Sequence, residues 1–230
     1  MIESAATRPD VQAFVAEDGA EKLPAGELVG YLATTFGTDL ALACSFQKEE
    51  SVLLDMLLAA DPKARVFALD THVLFEETYA IWRRLEKRYG IEITAYAGPS
   101  LGRQAAIHGD ALWSRNPSLC CSIRKVGPLA QALSGLDCWI TGVRRDQSPT
   151  RADTPKLGWD ETHELWKASP LADWTDDDVW AYIRERDLPV NTLHERGYAS
   201  IGCTHCTAPG KGREGRWGGF DKTECGLHPS

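Results

Sequence analysis

Asp39-Leu-Ala-Leu-Ala-Cys44 runs into the polar Ser45-Phe-Gln-Lys-Glu-Glu, and then into Ser51-Val-Leu-Leu-Asp-Met-Leu-Leu58. The first stretch is too short and too uniformly apolar for a surface helix, and it reads as a buried strand. The last carries enough apolar residues over two turns to read as a helix with one face inside. A strand that delivers a polar turn to the start of a helix is the repeating unit of parallel sheets.

Working outward, the same alternation continues. Gly26–Phe36 places Leu28, Tyr31, Leu32 and Phe36 at helical spacing. Arg65–Leu69 is a second strand, followed by a helix from Phe75 to Tyr89 that Gly90 should stop. Ile91–Thr94 and Cys138–Thr141 add two more strands. Thr175, ahead of three aspartates, should cap a helix running to Arg186. The expected fold is α/β: a mostly parallel twisted sheet flanked by helices, ending in a loop-rich C-terminal tail. Residues 1–206 are expected to form one α/β domain, and the glycine-rich residues 207–230 a flexible lid. In such sheets ligands sit at the carboxyl ends of the strands. Three polar segments fall there: 45–51, 70–72 and 142–148.

Composition narrows the function. A net charge of −8 disfavours nucleic acid as the main partner. Yet Arg144, Arg145, Arg151 and Lys156 outnumber the acids in 141–156, and Lys211, Arg213, Arg216 and Lys222 do so in 211–222. Basic loops on an acidic protein suit a small anionic ligand. No apolar run reaches the roughly 20 residues of a membrane span. Met1–Arg8 has no basic-then-apolar leader pattern, so a cytoplasmic location is expected. Seven cysteines there argue for metal or redox chemistry, not disulfides.

Cys44 and Cys138 lie beside strands and read as core filling. Cys120-Cys121 and Cys203-Thr-His-Cys206 are different, because the second pair lies in a polar, glycine-flanked loop. Four thiolates suit either zinc or a [4Fe–4S] cluster. The adjacent pair is awkward for compact tetrahedral zinc and easier for a cluster, whose irons are spread. Cys225 stands apart, the sixth residue counted back from the end of the sequence. Lys222, His228, Arg213 and Arg216 would lower its pKa and favour thiolate. Lys125, four residues past Cys121, brings a cation toward both cofactor and substrate. Arg144 and Arg151 offer guanidinium forks for phosphate or sulfate oxygens. The 45–51 turn is placed as a phosphate-binding loop but contains no glycine and is not a Walker motif.

Assembled, these segments resemble the assimilatory adenylyl-sulfate reductases within the wider phosphoadenylyl-sulfate reductase family. The matching stretches are Ser45-Phe46, Leu69-Asp-Thr-His72, Cys120-Cys-Ser-Ile-Arg-Lys125, Thr141 to Arg151, Cys203-Thr-His-Cys206, Gly212 to Trp217, and Lys222-Thr-Glu-Cys-Gly-Leu-His228. The resemblance implies an adenine nucleotide alpha hydrolase-like (PP-loop type) sheet and a [4Fe–4S] cluster on Cys120, Cys121, Cys203 and Cys206. It also implies a nucleophilic Cys225 that takes a sulfonate from adenosine 5′-phosphosulfate, expels AMP, and yields sulfite to thioredoxin. Ser45, Leu69 and Thr71 would line the nucleotide; Lys125, Arg144, Arg151, Arg213, Arg216 and His228 would neutralise the phosphosulfate. The chain departs from related pyrophosphatase-type enzymes, which have a Ser-Gly-Gly-x-Asp-Ser core where it has Ser-Phe-Gln-Lys-Glu-Glu-Ser. That departure argues against ATP adenylation. Three other readings stay open: a 3′-phosphoadenylyl-sulfate or dual-substrate reductase, a zinc-containing tRNA-thiolation enzyme, and a redox sensor. Homo-oligomerisation is left open as well.

Overall fold

The computed structural model describes residues 8–228. The leader reading of residues 1–7 therefore lies outside the described residues, as do the last two residues of the expected tail. In chain order the elements are α1 Pro9–Ala16, α2 Gly19–Lys22, α3 Ala25–Phe36, β1 Leu40–Ala43, α4 Lys48–Ala60, β2 Arg65–Asp70, α5 Glu76–Tyr89 and β3 Thr94–Ala97. There follow α6 Leu101–His108, α7 Leu112–Arg115, α8 Pro117–Cys121, α9 Gly127–Leu133, β4 Cys138–Ile140, β5 Leu157–Asp160, β6 Leu165–Ala168 and α10 Asp176–Arg186. The sheet order is β3-β2-β1-β4-β6-β5. Pairs β2–β3, β1–β4 and β4–β6 are parallel, and only β5–β6 is antiparallel among the registered pairs. The expected mostly parallel α/β class is met.

The chain divides into two compact units. The first holds the residues up to Cys44, Lys48–Val66 and Leu133–Pro189; the second holds Ser45–Gln47, Phe67–Ala132 and the residues from Val190 onward. The C-terminal residues thus group with the middle of the chain.

In the first unit, helix α3 buries Leu28, Leu32 and Phe36 of the face its periodicity predicted, together with Val29, while Tyr31 is only half-buried. That face packs on α4 and β1, and each fully buried Leu contributes about 1.5–3 kcal/mol of transfer free energy. Thr175 caps α10 as expected: its hydroxyl accepts from the Asp178 N–H at 3.2 Å while Asp178 Oδ2 accepts from the Thr175 N–H at 2.8 Å. The hairpin β5–β6 was not expected. Its strands are four residues long, and the cross-strand partners Trp159 and Trp166 meet edge to face at 5.6 Å.

In the second unit, β2 and β3 run in register from Phe67↔Thr94 to Asp70↔Ala97. The strand expected at Ile91–Thr94 begins three residues later. Gly90 takes a left-handed conformation that closes α5, and the Ile93 N–H is spent on Glu86 Oε1 at 2.9 Å, so residues 91–93 are connection. Just after β3 the backbone comes so close to residue 123 that a Cβ at Gly98 would lie 2.6 Å from the Ile123 carbonyl oxygen. Only glycine fits there.

Candidate active site

Every cysteine expected to act on ligand or metal falls in the second unit. Cys120 and Cys121 end α8, whose start is set by Pro117 at its first turn and by Asn116 Oδ1, which accepts from the Leu119 N–H at 2.9 Å. The helix does not continue as α. Ser122–Val126 widens into a π-helical turn before α9. Such turns are rare and recur at functional sites because they redirect side chains from the regular stripe. Here Arg124 and Lys125, neighbours in sequence, are both buried.

The second cysteine pair flanks a 3-10 turn, Thr204–Cys206, packed against α7. His205 stacks on Trp113 with ring centroids 4.1 Å apart and planes 4° from parallel. Leu74 bridges to Cys203, and the Thr204 N–H donates to the Val73 carbonyl at 2.9 Å, which fastens this loop beside the segment after β2. Cys120, Cys121, Cys203 and Cys206 line a single cavity together with Arg124, Lys125 and Trp217. Burial is the main effect on the Cys206 thiol, with Cys203 and Cys121 next, pushing it up to about 11. Burial and the same neighbours raise Cys120 as well. Cys120, Cys121 and Cys206 are all raised by burial and by neighbouring sulfurs, and thiols crowded in this way are a donor set suited to a cation. No three His, Cys, Asp or Glu side chains among the described residues converge tightly enough to hold a single metal ion. The cavity wall of four thiols, with no carboxylate and two cationic side chains, fits the donor chemistry of a polynuclear thiolate-bound group.

Cys225 is buried rather than displayed, in a cluster with Cys121 and Trp217 against which Cys206 and Leu227 pack. Burial alone would raise its pKa. Lys125, the Leu227 backbone N–H, Arg216 and Arg213 together outweigh burial and hold the thiol below its ordinary value. Lys125 in turn is buried, yet Cys203 and Cys225 keep its ammonium favoured. Trp217 organises the cations: Arg216 lies 4.5 Å, Lys222 5.4 Å and Arg213 5.6 Å from its ring centroid. The glycine-rich segment is folded around it. Ala208 N–H donates to Gly215 O at 2.8 Å and Trp217 N–H to Cys206 O at 3.0 Å, a hairpin possible because a Cβ at Gly215 would sit 2.0 Å from the Ala208 carbonyl oxygen.

The two loops expected to line the nucleotide are shaped by strained backbone. Phe46 has φ +63° and His72 φ +58°. Phe46 is buried and stacks on Trp82 at 4.7 Å, leaving Ser45 exposed. Gln47 Nε2 donates to Ser45 Oγ at 3.2 Å, and Gln47 Oε1 accepts from the Ile201 N–H at 2.8 Å, just ahead of Cys203. At the end of β2, Asp70 Oδ1 accepts from both the His72 N–H and the Tyr79 hydroxyl at 2.8 Å. Leu69 is half-buried and Thr71 buried beside it.

Of the remaining residues, His228 is half-buried, three positions past Cys225. Arg144 and Arg151 belong to the other unit. Arg144 is buried there with Nε and Nη2 on Glu49 at 3.1 Å, Nη1 on Asp146 at 2.6 Å and on the Trp174 carbonyl, and Nη2 on Asp176 at 2.9 Å. Its five N–H groups are committed to protein acceptors in this conformation. Arg151 Nη1 donates to Gln147 Oε1. The sequence reading quoted Arg124 within its motif but gave it no role, while Asp70 and Gln47 lie in segments it had flagged. Arg124 carries a signal that was there to use, the i+4 spacing from Cys120 that Lys125 has from Cys121.

Residues 39–209 match the phosphoadenosine phosphosulfate reductase domain family. An adenosine 5′-phosphosulfate reductase of Salinibacter ruber is 46% identical over 209 residues, covering 88% of this chain and 83% of the relative. A phosphoadenosine 5′-phosphosulfate reductase of Gloeobacter violaceus is 47% identical over 201 residues, covering 84% of this chain and 83% of the relative. Among solved structures, a phosphoadenylyl-sulfate reductase of Candida auris in a phosphate complex superposes with a TM-score of 0.76 at 28% identity, over 88% of this chain and 98% of that one.

Proposed function

The chain belongs to the phosphoadenosine phosphosulfate reductase family, and from that premise we propose that it reduces adenosine 5′-phosphosulfate to sulfite and AMP in sulfate assimilation, with Cys225 as nucleophile. The observation that carries the reading is the setting of Cys225: a buried thiol held toward thiolate by Lys125, Arg216 and Arg213.

The chemistry balances without a redox change elsewhere in the protein. The Cys225 thiolate attacks the sulfate sulfur; an S–S bond forms, the S–O bond breaks, and AMP leaves with the electron pair. The product is a Cys225 thiosulfonate. A dithiol protein of the thioredoxin kind then attacks Cys225 Sγ, sulfite departs with the S–S electron pair, and the second thiol of the dithiol closes its own disulfide to free Cys225. Arg213, Arg216, Lys125 and Lys222 suppress repulsion between thiolate and phosphosulfate, which is the main barrier when AMP is already a good leaving group. Ser45, Leu69 and Thr71 position the nucleotide. Because Cys225 is buried, exchange with a protein dithiol requires residues 218–228 to turn outward after sulfonate transfer.

Cys120, Cys121, Cys203 and Cys206 would hold a [4Fe–4S] cluster, which when bound supplies a fixed charge beside Lys125 and requires no change of iron oxidation state. A cytoplasmic location fits this chemistry; no helix among the described residues is long and apolar enough to cross a membrane.

The test is mass spectrometry of anaerobic protein mixed with sulfur-labelled nucleotide. A sulfonate adduct on the C-terminal peptide is expected, absent in Cys225→Ser, which should keep its iron. An adduct elsewhere, or a Cys225→Ser chain that still turns over, refutes the assignment and favours a sensor role. Zinc with no iron or acid-labile sulfide would instead favour the tRNA-thiolation reading. One observation favours a second substrate: the Gloeobacter relative is named for the 3′-phosphorylated nucleotide. Sulfite release measured with both nucleotides separates the two, and equal kcat/KM values would remove the preference for the 5′-phosphosulfate.

A further inference from the structure

Arg124 is 1% exposed, one of the most deeply buried side chains, yet it is a guanidinium that stays charged at any working pH. Its Nη1 donates to the Thr71 carbonyl at 2.9 Å. Its Nε and Nη2 are buried without a hydrogen-bond partner, and no carboxylate pairs with it among the described residues. An unpaired buried cation is among the costliest arrangements a fold can keep. The side chain lines the same cavity as Cys120, Cys121, Cys203 and Cys206. Two further contacts tie it there. Thr71, whose carbonyl it holds, has its hydroxyl 3.3 Å from Cys203 Sγ, and Arg124 lies in the π-helical turn that directly follows Cys120 and Cys121.

We propose that Arg124 is the positioning residue of the thiolate centre: its two unpartnered N–H edges donate to the sulfurs of the group that the four cysteines bind, and its charge balances theirs. This rests on the cluster reading above and adds a residue to it. Lys125 lines the same cavity but acts on Cys225 as well, whereas Arg124 does not figure among the cations that act on Cys225.

The proposal has a signature that a packing role lacks, because the two forms of the protein should respond with opposite sign. In Arg124→Met the apolar stem is kept and the charge removed. The iron-loaded variant should release iron to a chelator about 10- to 100-fold faster than the unsubstituted chain, as loss of a hydrogen-bonding neighbour does at metal sites. Its resonance Raman Fe–S stretching bands should also move. Iron-free Arg124→Met should melt higher than the iron-free unsubstituted chain, since the unpaired charge is gone. Arg124→Lys, which folds with charge in place, should release iron at an intermediate rate. Equal iron release by Arg124→Met and the unsubstituted chain overturns the proposal, as does a lower melting temperature of the iron-free variant. If the unsubstituted chain itself binds no iron after anaerobic reconstitution, the cluster reading fails by that result alone, before any variant is compared.

Discussion

Cys203 Sγ lies 3.3 Å from Thr71 Oγ1, a buried contact between the cysteine loop and the first residue after β2. As a thiol, Cys203 donates; as a metal-bound thiolate it would accept, and the hydroxyl needs only to rotate. Thr71→Val keeps the shape and removes the hydroxyl. It is expected to lower stability by about 1 kcal/mol and to speed iron loss to a chelator about 10-fold or more. Thr71→Ser should restore retention. A Thr71→Val chain that keeps iron like the parent would mean that this hydroxyl serves the nucleotide alone.

The tail is fastened by Arg213, which donates to the Thr223 carbonyl and, at 3.0 Å, to Glu224 Oε2. The pair is four-fifths or more buried, so screening weakens it less than a surface bridge. Glu224→Gln should release the segment around Cys225 and free Arg213 for an anionic ligand. Alkylation of Cys225 by iodoacetamide, read by peptide mass spectrometry, should rise about 5- to 10-fold, the equivalent of roughly 1–1.4 kcal/mol. Unchanged labelling would show that Trp217 packing holds the tail without help from this pair.

Asp176 is one carboxylate through which acid should destabilise the first unit. Burial raises this carboxyl, but the Lys48 hydrogen bond and the charges of Lys48 and Arg144 outweigh it and hold the pKa below the usual value. A carboxylate with a depressed folded pKa adds stability above its unfolded value of about 3.9, and that stability is lost as pH falls through the lower folded value. Urea midpoints of the parent should therefore hold from neutral pH to about 4 with respect to this group and then drop. Asp176→Asn should begin lower at pH 7 and lose less between pH 4 and 3. Parallel profiles for the two chains would remove Asp176 from the acid response. The carboxylate is half exposed, so the effect is expected to be modest.

Much of this was legible in advance, and the failures share a cause. Strand β1, helix α4 and the Thr175 cap follow from apolar spacing and local capping, which act over a few residues. The cysteines and Lys125 could be chosen because their chemistry is rare. Strand β3 was misplaced because Glu86, seven residues upstream, takes the Ile93 N–H, a contact no window of hydropathy reveals. The β5–β6 hairpin escaped because four-residue strands containing Gly158, Asp160 and Lys167 lack a clean alternation. The pairing of Arg144 with Glu49 and Asp176 is equally hidden from the sequence, since they lie 95 and 32 residues away. Arg124 was passed over because a helical arginine usually faces solvent, and the π-turn that buries it is invisible to a 3.6-residue period.

Gly202 offers a way to move Arg216 without touching it. A Cβ there would meet the guanidinium at 2.3 Å (Nη2) and 2.7 Å (Cζ), while the Gly202 backbone itself is in an ordinary region, so alanine adds no strain of its own. The obstacle is the end of a flexible side chain, which can step aside. In doing so it should give up the Ser200 hydroxyl at 3.0 Å and the Ile201 carbonyl at 3.4 Å, and shift off the Trp217 face. If Arg216 grips the phosphosulfate, Gly202→Ala should raise KM for the nucleotide about 10-fold, the loss of roughly one charge-assisted hydrogen bond, with kcat nearly kept. Iron content is the necessary control because Cys203 is adjacent, and it should stay at the parental level. Gly215→Ala makes the contrast: its Cβ would strike the Ala208 backbone, which cannot step aside, and that chain should lose the hairpin and fold poorly. A Gly202→Ala chain with parental KM and full iron would exclude Arg216 from the anion site, leaving Arg213, Lys125 and Lys222 to hold the substrate.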